Sequence, residues 1–304
     1  MPAPGRLSVV IPVFNRRRMV VECLANVARQ DRLPDLVLVV DDASTDGTAQ
    51  VVSEWIDARA DRDRWRLLTL AENVGAAAAR NRGHHAAGEI DLVAFLDSDD
   101  LWPPDFLKRA ESVLAEDPAA VAATADIRVE RPQRPPRTRD LSAIERRISD
   151  VLFRDAGIGS ATVLRSSAVR RAGGFPESFP TGHDLHLFCA VSALGGWRHL
   201  TGAPITKRQG FHAPGEESHL ATSYADHMQR WARVYESAID EHGERLGLDS
   251  RARAHLIGAR WYRAGKVARK RGDTPAAREC LRKAIRRRPF DHRQRVQLLA
   301  TYFP

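Results

Sequence analysis

The chain has 304 residues, 43% hydrophobic and 28% charged, which predicts a globular protein with one large α/β domain plus an appendage, or two modest domains. No apolar run approaches the roughly 18 residues that span a bilayer, and the N-terminus lacks a signal-peptide layout, so a cytoplasmic protein is expected. The three cysteines, Cys23, Cys189 and Cys280, are too few and too scattered for a disulfide framework or a cysteine metal site, and read as buried thiols.

In chain order, Leu7–Asn15 (LSVVIPVFN) reads as a buried strand closed by a loop, and Arg16–Arg29 as a helix. Leu36–Asp42 (LVLVVDD) is a second buried strand. The segment STDGTAQVVSEWIDARA follows as a helix with Ser44 or Thr45 as its N-cap. Trp65–Leu70 is a third strand. NVGAAAARNRGHHAAG runs from loop to helix and stops at Gly88. DLVAFLD is a fourth strand, and Pro104–Ala115 a helix with prolines in its first turn. Arg131–Asp140, rich in Pro and Arg, reads as an exposed loop. ATVLRSSAVRRAGGF gives a strand, a Ser-capped helix and a Gly-Gly stop. HDLHLFCAVSALGG is a helix opening at His183–Asp184, and Tyr224–Leu246 is an amphipathic helix. Arg251–Arg271 and Pro275–Arg288 form a helical pair joined at Gly272–Asp273.

Strands alternating with helices predict a mostly parallel, doubly wound sheet, which binds ligands at the carboxyl ends of its strands. Asn15, Asp41, Asp42, Asp97 and Asp99 all fall at such ends. The stretch VAFLDSDDLW crowds Asp97, Asp99 and Asp100 at the end of a buried strand. Carboxylates this close raise one another's pKa unless a cation lies among them.

Five blocks in order, VVIPVFNRRRMVVECLANVARQ, VVDDASTDGT, ENVGAAAARNRG, FLDSDDLWPPDFL and GGFPESFPTGHDLHLFCAVSALG, resemble the family 2 glycosyltransferases of the GT-A fold. The resemblance covers roughly residues 7 to 210. It implies a GT-A catalytic domain over 1–215 and a helical, basic region over 216–304. It also implies an inverting, metal-dependent transfer of one sugar from a nucleotide-sugar, a UDP-sugar being expected. A divalent Mn2+ or Mg2+ held by carboxylates would neutralise the departing diphosphate.

By resemblance, Asp99 is the direct metal ligand and Asp97 reaches the metal or the ribose beside Ser98; Asp100 reads as a helix-start or supporting carboxylate. Asp42 reads the nucleobase, with Asp41 as the alternative, and Pro12, Val13 and Asn15 pack around the base. Gly75 lets the backbone approach the donor, while Arg80 and Asn81 line its pocket. Asp184 keeps the position of the catalytic base, although the Glu that precedes it in the family is His183 here. In the following loop His212 is a candidate for the metal or a phosphate, and Lys207 and Arg208 for the diphosphate. Arg208–Gln209–Gly210 does not supply the QxxRW signature of processive synthases, so a single addition is expected. His84, His85 and His186 read as structural or exposed rather than as ligands. A rival nucleotidyltransferase would want a Gly-rich loop after the first strand, which VIPVFNRRR lacks. The alternative outside catalysis is a donor-binding scaffold acting through its helical tail.

The net charge of +8 is unevenly spread: residues 251–304 carry +13 and the first 250 carry −5. The helical pair there resembles one tetratricopeptide-type hairpin over 251–288, which cannot bury its own face and should pack on the catalytic domain or on a second copy. Its charge suits a solvated face or a peripheral contact with the inner membrane face. No nucleic-acid motif is present. The acceptor is a glycan, a lipid-linked oligosaccharide, a natural product or a peptide, and the sequence does not choose among them.

Overall fold

The computed structural model describes residues 5–146, 148–154, 157–211 and 226–302. Its first half is a parallel sheet built from β1 (Leu7–Val13), β2 (Leu36–Asp41), β3 (Trp65–Thr69) and β4 (Leu92–Phe95). The connecting helices are α1 (Met19–Val27), α2 (Thr48–Asp57) and α3 (Ala76–Ala86). β1, β2 and β4 are near-continuous apolar runs because helices cover both faces of the sheet, leaving no solvated side to alternate toward.

After α4 (Phe106–Glu116) the chain forms β5 (Ala120–Arg131), β6 (Arg134–Arg139), α5 (Ile148–Arg154), β7 (Thr162–Arg165), α6 (Ser166–Arg171), α7 (His183–Ser192) and β8 (Gly196–Arg208). The strand order is β3-β2-β1-β4-β7-β5-β6, with β8 paired to β5. β7 runs antiparallel to both β4 and β5, so the sheet is parallel on one side and mixed on the other. Chain order reverses across β1, with β2 on one side and β4 on the other. That switch point opens a crevice at the strand ends.

Three segments that the sequence reading assigned differ here, and β5 and α5 lie in stretches to which it assigned no element. Arg131–Asp140 is exposed as expected, but it is an edge hairpin: β6 pairs antiparallel with β5. β8 extends through Thr206–Arg208, which pattern alone left as loop, because its partner β5 is distant in sequence. α2 begins at Thr48 behind Gly47, and neither Ser44 nor Thr45 caps it. Those two side chains and backbones instead bond Asn15 across the crevice rim.

The C-terminal helices are α8 (His227–His242), α9 (Ser250–Lys270), α10 (Thr274–Arg287) and α11 (His292–Leu299). Asp249, Asp273 and Asp291 cap the last three by accepting from backbone amides, each cap contributing about 1 kcal/mol. α9 and α10 form the expected hairpin, packed on α8, which packs on α7. Cys23, Cys189 and Cys280 are free and buried. No helix among the described residues is long and apolar enough to cross a membrane.

Helix α3 lies unusually close to the sheet. A Cβ on Gly83 would sit 2.5 Å from Val10 Cγ1 and 2.9 Å from Val40 Cγ2, both on buried central strands. Gly83→Ala gains about 0.5–1 kcal/mol of helix preference, but overpacking costs about 1–3 kcal/mol. We expect a net loss of roughly 1 kcal/mol in urea unfolding; a raised midpoint would mean that α3 does not seat this deeply.

Candidate active site

The crevice is a cleft of about 1300 Å3. Pro12 and Val13 from the end of β1, Asp42 after β2, Gly75 and Arg80 at the start of α3, and Asp97, Ser98 and Asp99 after β4 line it together with Asp184 on α7. Nine sequence-predicted residues from five segments thus converge. Asn15, Asp41 and Asn81 are not among the lining residues. Asn15, at φ +52°, staples its loop to Ser44 and Thr45. Asp41 is buried and accepts from the Ser44 amide. Asn81 bonds Phe175 and Glu177, tying α3 to the turn that leads toward α7. His212 lies outside the described residues.

Asp42 grips the neighbouring loop. Its two carboxylate oxygens accept from the amides of Val74 (2.7 Å) and Gly75 (2.9 Å). Gly75 stands at φ +87° and ψ 159°, a conformation essentially confined to glycine, so the sequence must be Gly where α3 begins. Each Asp42 oxygen retains a second lone pair.

The acidic cluster has cations built into it. Lys207, at the end of β8, reaches Asp97 Oδ2 (3.3 Å) and Asp100 Oδ2 (3.1 Å). Arg80 pairs with Asp97 Oδ1. A two-way backbone bridge between Leu101 and Thr206 holds the end of β8 against the acidic turn and so delivers Lys207 and Arg208 to it. Arg208 spends itself on the Asp99 carbonyl (2.6 Å) and on Glu22 (2.6 Å). Burial opposes charge on Asp97, yet Lys207 and Arg80 outweigh it and hold this carboxyl far below the usual range. Burial pushes Asp100, fully enclosed, upward; Lys207 pulls against this and the neighbouring carboxylates add to it. Burial likewise opposes the Lys207 ammonium, but Asp100, Asp97 and Asp99 raise its pKa well above the ordinary value.

One carboxylate oxygen from each of Asp97, Asp99 and Asp100 lies within 4.8 Å of the others. Three hard oxygen donors suit Mg2+ or Mn2+; Asp97 and Asp99 line the cleft while Asp100 is enclosed behind them, and Lys207 occupies the carboxylates of Asp97 and Asp100.

Arg80 continues the network. Its Nη1 donates to His183 Nε2 at 2.7 Å; since a guanidinium only donates, the His183 proton sits on Nδ1, which donates to the Phe179 carbonyl at 3.3 Å. His183 is therefore a buried neutral link between the acidic cluster and the start of α7, next to Asp184.

Sequence reading missed one wall. His227, Met228, Trp231 and Tyr235 of α8, with Arg260 and Arg263 of α9, also line the cleft. Tyr235 donates to the Phe153 carbonyl (3.1 Å) and accepts from Arg260 (2.9 Å), which fixes this wall to the catalytic side. The amphipathic pattern of α8 identified a buried face but could not say what it faced.

The match to glycosyl transferase family 2 extends over residues 8–172, more than half the chain. The chain belongs to glycosyl transferase family 2. Validoxylamine A glucosyltransferase of Streptomyces hygroscopicus subsp. limoneus is 30% identical over 291 residues, 79% of this chain and 60% of the relative. The chain spans about half the length of the curated relatives it matches. S. aureus TarS 1–349, solved in complex with UDP-GlcNAc, superposes with a TM-score of 0.72 at 19% identity, covering 98% of this chain and 89% of that one. The mannosyltransferase PcManGT of Pyrobaculum calidifontis, solved with GDP-Man and Mn2+, gives 0.57 at 22%, covering 99% and 87%. At these identities the two structures establish the GT-A fold.

Burial, then the nearby Arg80, lower the His183 pKa from 6.5 to about 4. Between those values the unfolded chain binds the proton and the folded one does not, so stability present above about pH 6.5 is lost as pH falls toward 4. Urea unfolding at about pH 7 and 5 should show this loss, and His183→Gln should reduce it. An equal loss in the variant would mean that His183 is not held neutral.

Proposed function

We propose that this chain is an inverting, metal-dependent glycosyltransferase that moves one sugar per turnover from a nucleotide-sugar, a UDP-sugar first among candidates, to an acceptor hydroxyl. The observation that carries the reading is the convergence of Asp42, Gly75, Asp97, Asp99 and Asp184 on one cleft at the sheet's switch point. Family membership and neighbours solved with UDP-GlcNAc and GDP-Man support a nucleotide-sugar donor.

In this reading Pro12, Val13 and Asp42 form the nucleobase end of the cleft. Asp42 acts through its remaining lone pairs and through the loop it grips. Asp99 and Asp97 would hold a divalent cation, with Asp100 in support, and when bound that cation supplies positive charge to the donor diphosphate. Lys207 and Arg80 add fixed positive charge at the same end, so negative charge growing on the leaving group meets donors already oriented. Asp184 takes the proton from the acceptor hydroxyl as its oxygen attacks the anomeric carbon, while the carbon–oxygen bond to the diphosphate breaks. Asp184 stands in the first turn of α7, at the edge of the cleft. The aromatic wall of Trp231 and Tyr235 is assigned to the acceptor side. The catalytic unit is assigned to 1–215 and the basic helical region to 216–304.

Asp184→Asn should lower transfer by about 100- to 10,000-fold, the usual contribution of a general base, while leaving donor affinity within about twofold by calorimetry. Unchanged turnover would remove Asp184 from this role. In a thermal-shift screen of nucleotide-sugars, the donor should raise the melting temperature in Mn2+ and do so less in EDTA. A shift equal in both would remove the metal from donor binding.

A further inference from the structure

Outside the cleft, α7 and α8 bring three ligating side chains together. His186 Nε2 lies 3.2 Å from Glu241 Oε2, and His242 Nε2 lies 3.6 Å from Glu241 Oε1. One ligand atom from each of the three residues falls within 4.8 Å of the others. The two imidazoles meet edge to face with centroids 5.0 Å apart. Sequence pattern could not anticipate this, since His186 is more than fifty residues from Glu241 and the chain between them includes β8.

A His–Glu ion pair alone does not account for the cluster. His242 is only 6% exposed, and both its ring nitrogens are buried without a hydrogen-bond partner among the described residues. Native proteins rarely leave buried polar atoms unpaired, because each costs free energy when taken from water. A cation bonded to His242 Nε2 would satisfy one of them. Zinc bonds nitrogen and oxygen at about 2.0–2.2 Å in tetrahedral sites, which sets neighbouring donors roughly 3.3–3.5 Å apart. The observed 3.2 and 3.6 Å, one to each oxygen of the Glu241 carboxylate, lie around that value. Two imidazoles and a carboxylate suit zinc rather than the hard ions of the acidic cluster. Glu241 is 58% exposed, leaving a route for the ion and room for water as the fourth ligand.

We propose that His186, Glu241 and His242 form a zinc site that clips α8 to α7. Its place explains its use. His186 stands one half-turn beyond Asp184, and α8 carries Trp231 and Tyr235 into the cleft wall, so the clip fixes two sides of the cleft to each other. The site does not depend on the transferase reading.

The full chain, stripped with chelator and re-equilibrated with Zn2+ in excess Mg2+, should retain one zinc per chain by elemental analysis. X-ray absorption at the zinc edge should show two imidazoles. Zn2+ should raise the melting temperature of the unaltered chain, and Glu241→Gln and His186→Gln should each weaken zinc binding by more than about tenfold, as expected for loss of a ligand. Glu241 is 58% exposed, so folding should survive its substitution, whereas His186 and His242 are more enclosed. Retention of zinc by both variants, a signature with fewer than two imidazoles, or no retention by the unaltered chain would each overturn the proposal. A one-imidazole signature would point instead to His199 with Asp126 and Asp140.

Discussion

Everything about this cleft turns on holding three carboxylates at the buried end of one strand. Asp97, Asp99 and Asp100 follow β4 directly, and Asp100 has no contact with solvent. Like charges in such a place repel and resist ionisation. The fold meets this cost with fixed cations from opposite sides, Lys207 from β8 and Arg80 from α3. Removing one member of such a set leaves an uncompensated buried charge, which costs more than the pair contributes. The sheet order, the Leu101–Thr206 bridge and the entry of α3 are the geometry that keeps the set together.

From that cluster the same contacts pass to the rest of the cleft. Arg80 joins Asp97 to His183, and His183 joins the start of α7 to the Phe179 carbonyl. A glutamate in place of His183 would also accept from Arg80, but it would bring another negative charge to an enclosed site already rich in them. A neutral ring accepts the bond without that charge. Asp42 performs the corresponding task at the other end, fixing the Val74–Gly75 backbone where α3 starts. The helical region is part of this arrangement, since α8 and α9 close one wall.

The parallel half of the fold was legible from residue pattern. Strands buried on both faces are written as unbroken apolar runs, and the four of them with their helices stand where the sequence puts them. The mixed half was harder. β5 pairs with β7 and β8 across long separations, and β6, though joined to β5 by a tight hairpin, is an exposed run of Arg and Pro with little strand signal of its own. Local propensity cannot report a partner distant in sequence. For the same reason Ser44 and Thr45 looked like helix caps: their spacing fits, but Asn15 competes for them across the crevice.

The sequence by itself determined the acidic turn after β4, the Asp pair after β2, the glycine that begins α3 and Asp184 at a helix start. These are statements about residue types at strand ends and helix starts, and local order is enough to make them. Only the tertiary structure decided which of the candidates face the cleft. It turned Asn15, Asp41 and Asn81 to loop and helix anchoring, brought Lys207 in as the cation among the acids, supplied Trp231 and Tyr235 as a wall, and set His186 beside Glu241 and His242. The physical reason is common to all of these. A charge, a ring or a ligand acts over a few ångströms, and sequence separation says nothing about that distance until the sheet order and the helix packing are fixed.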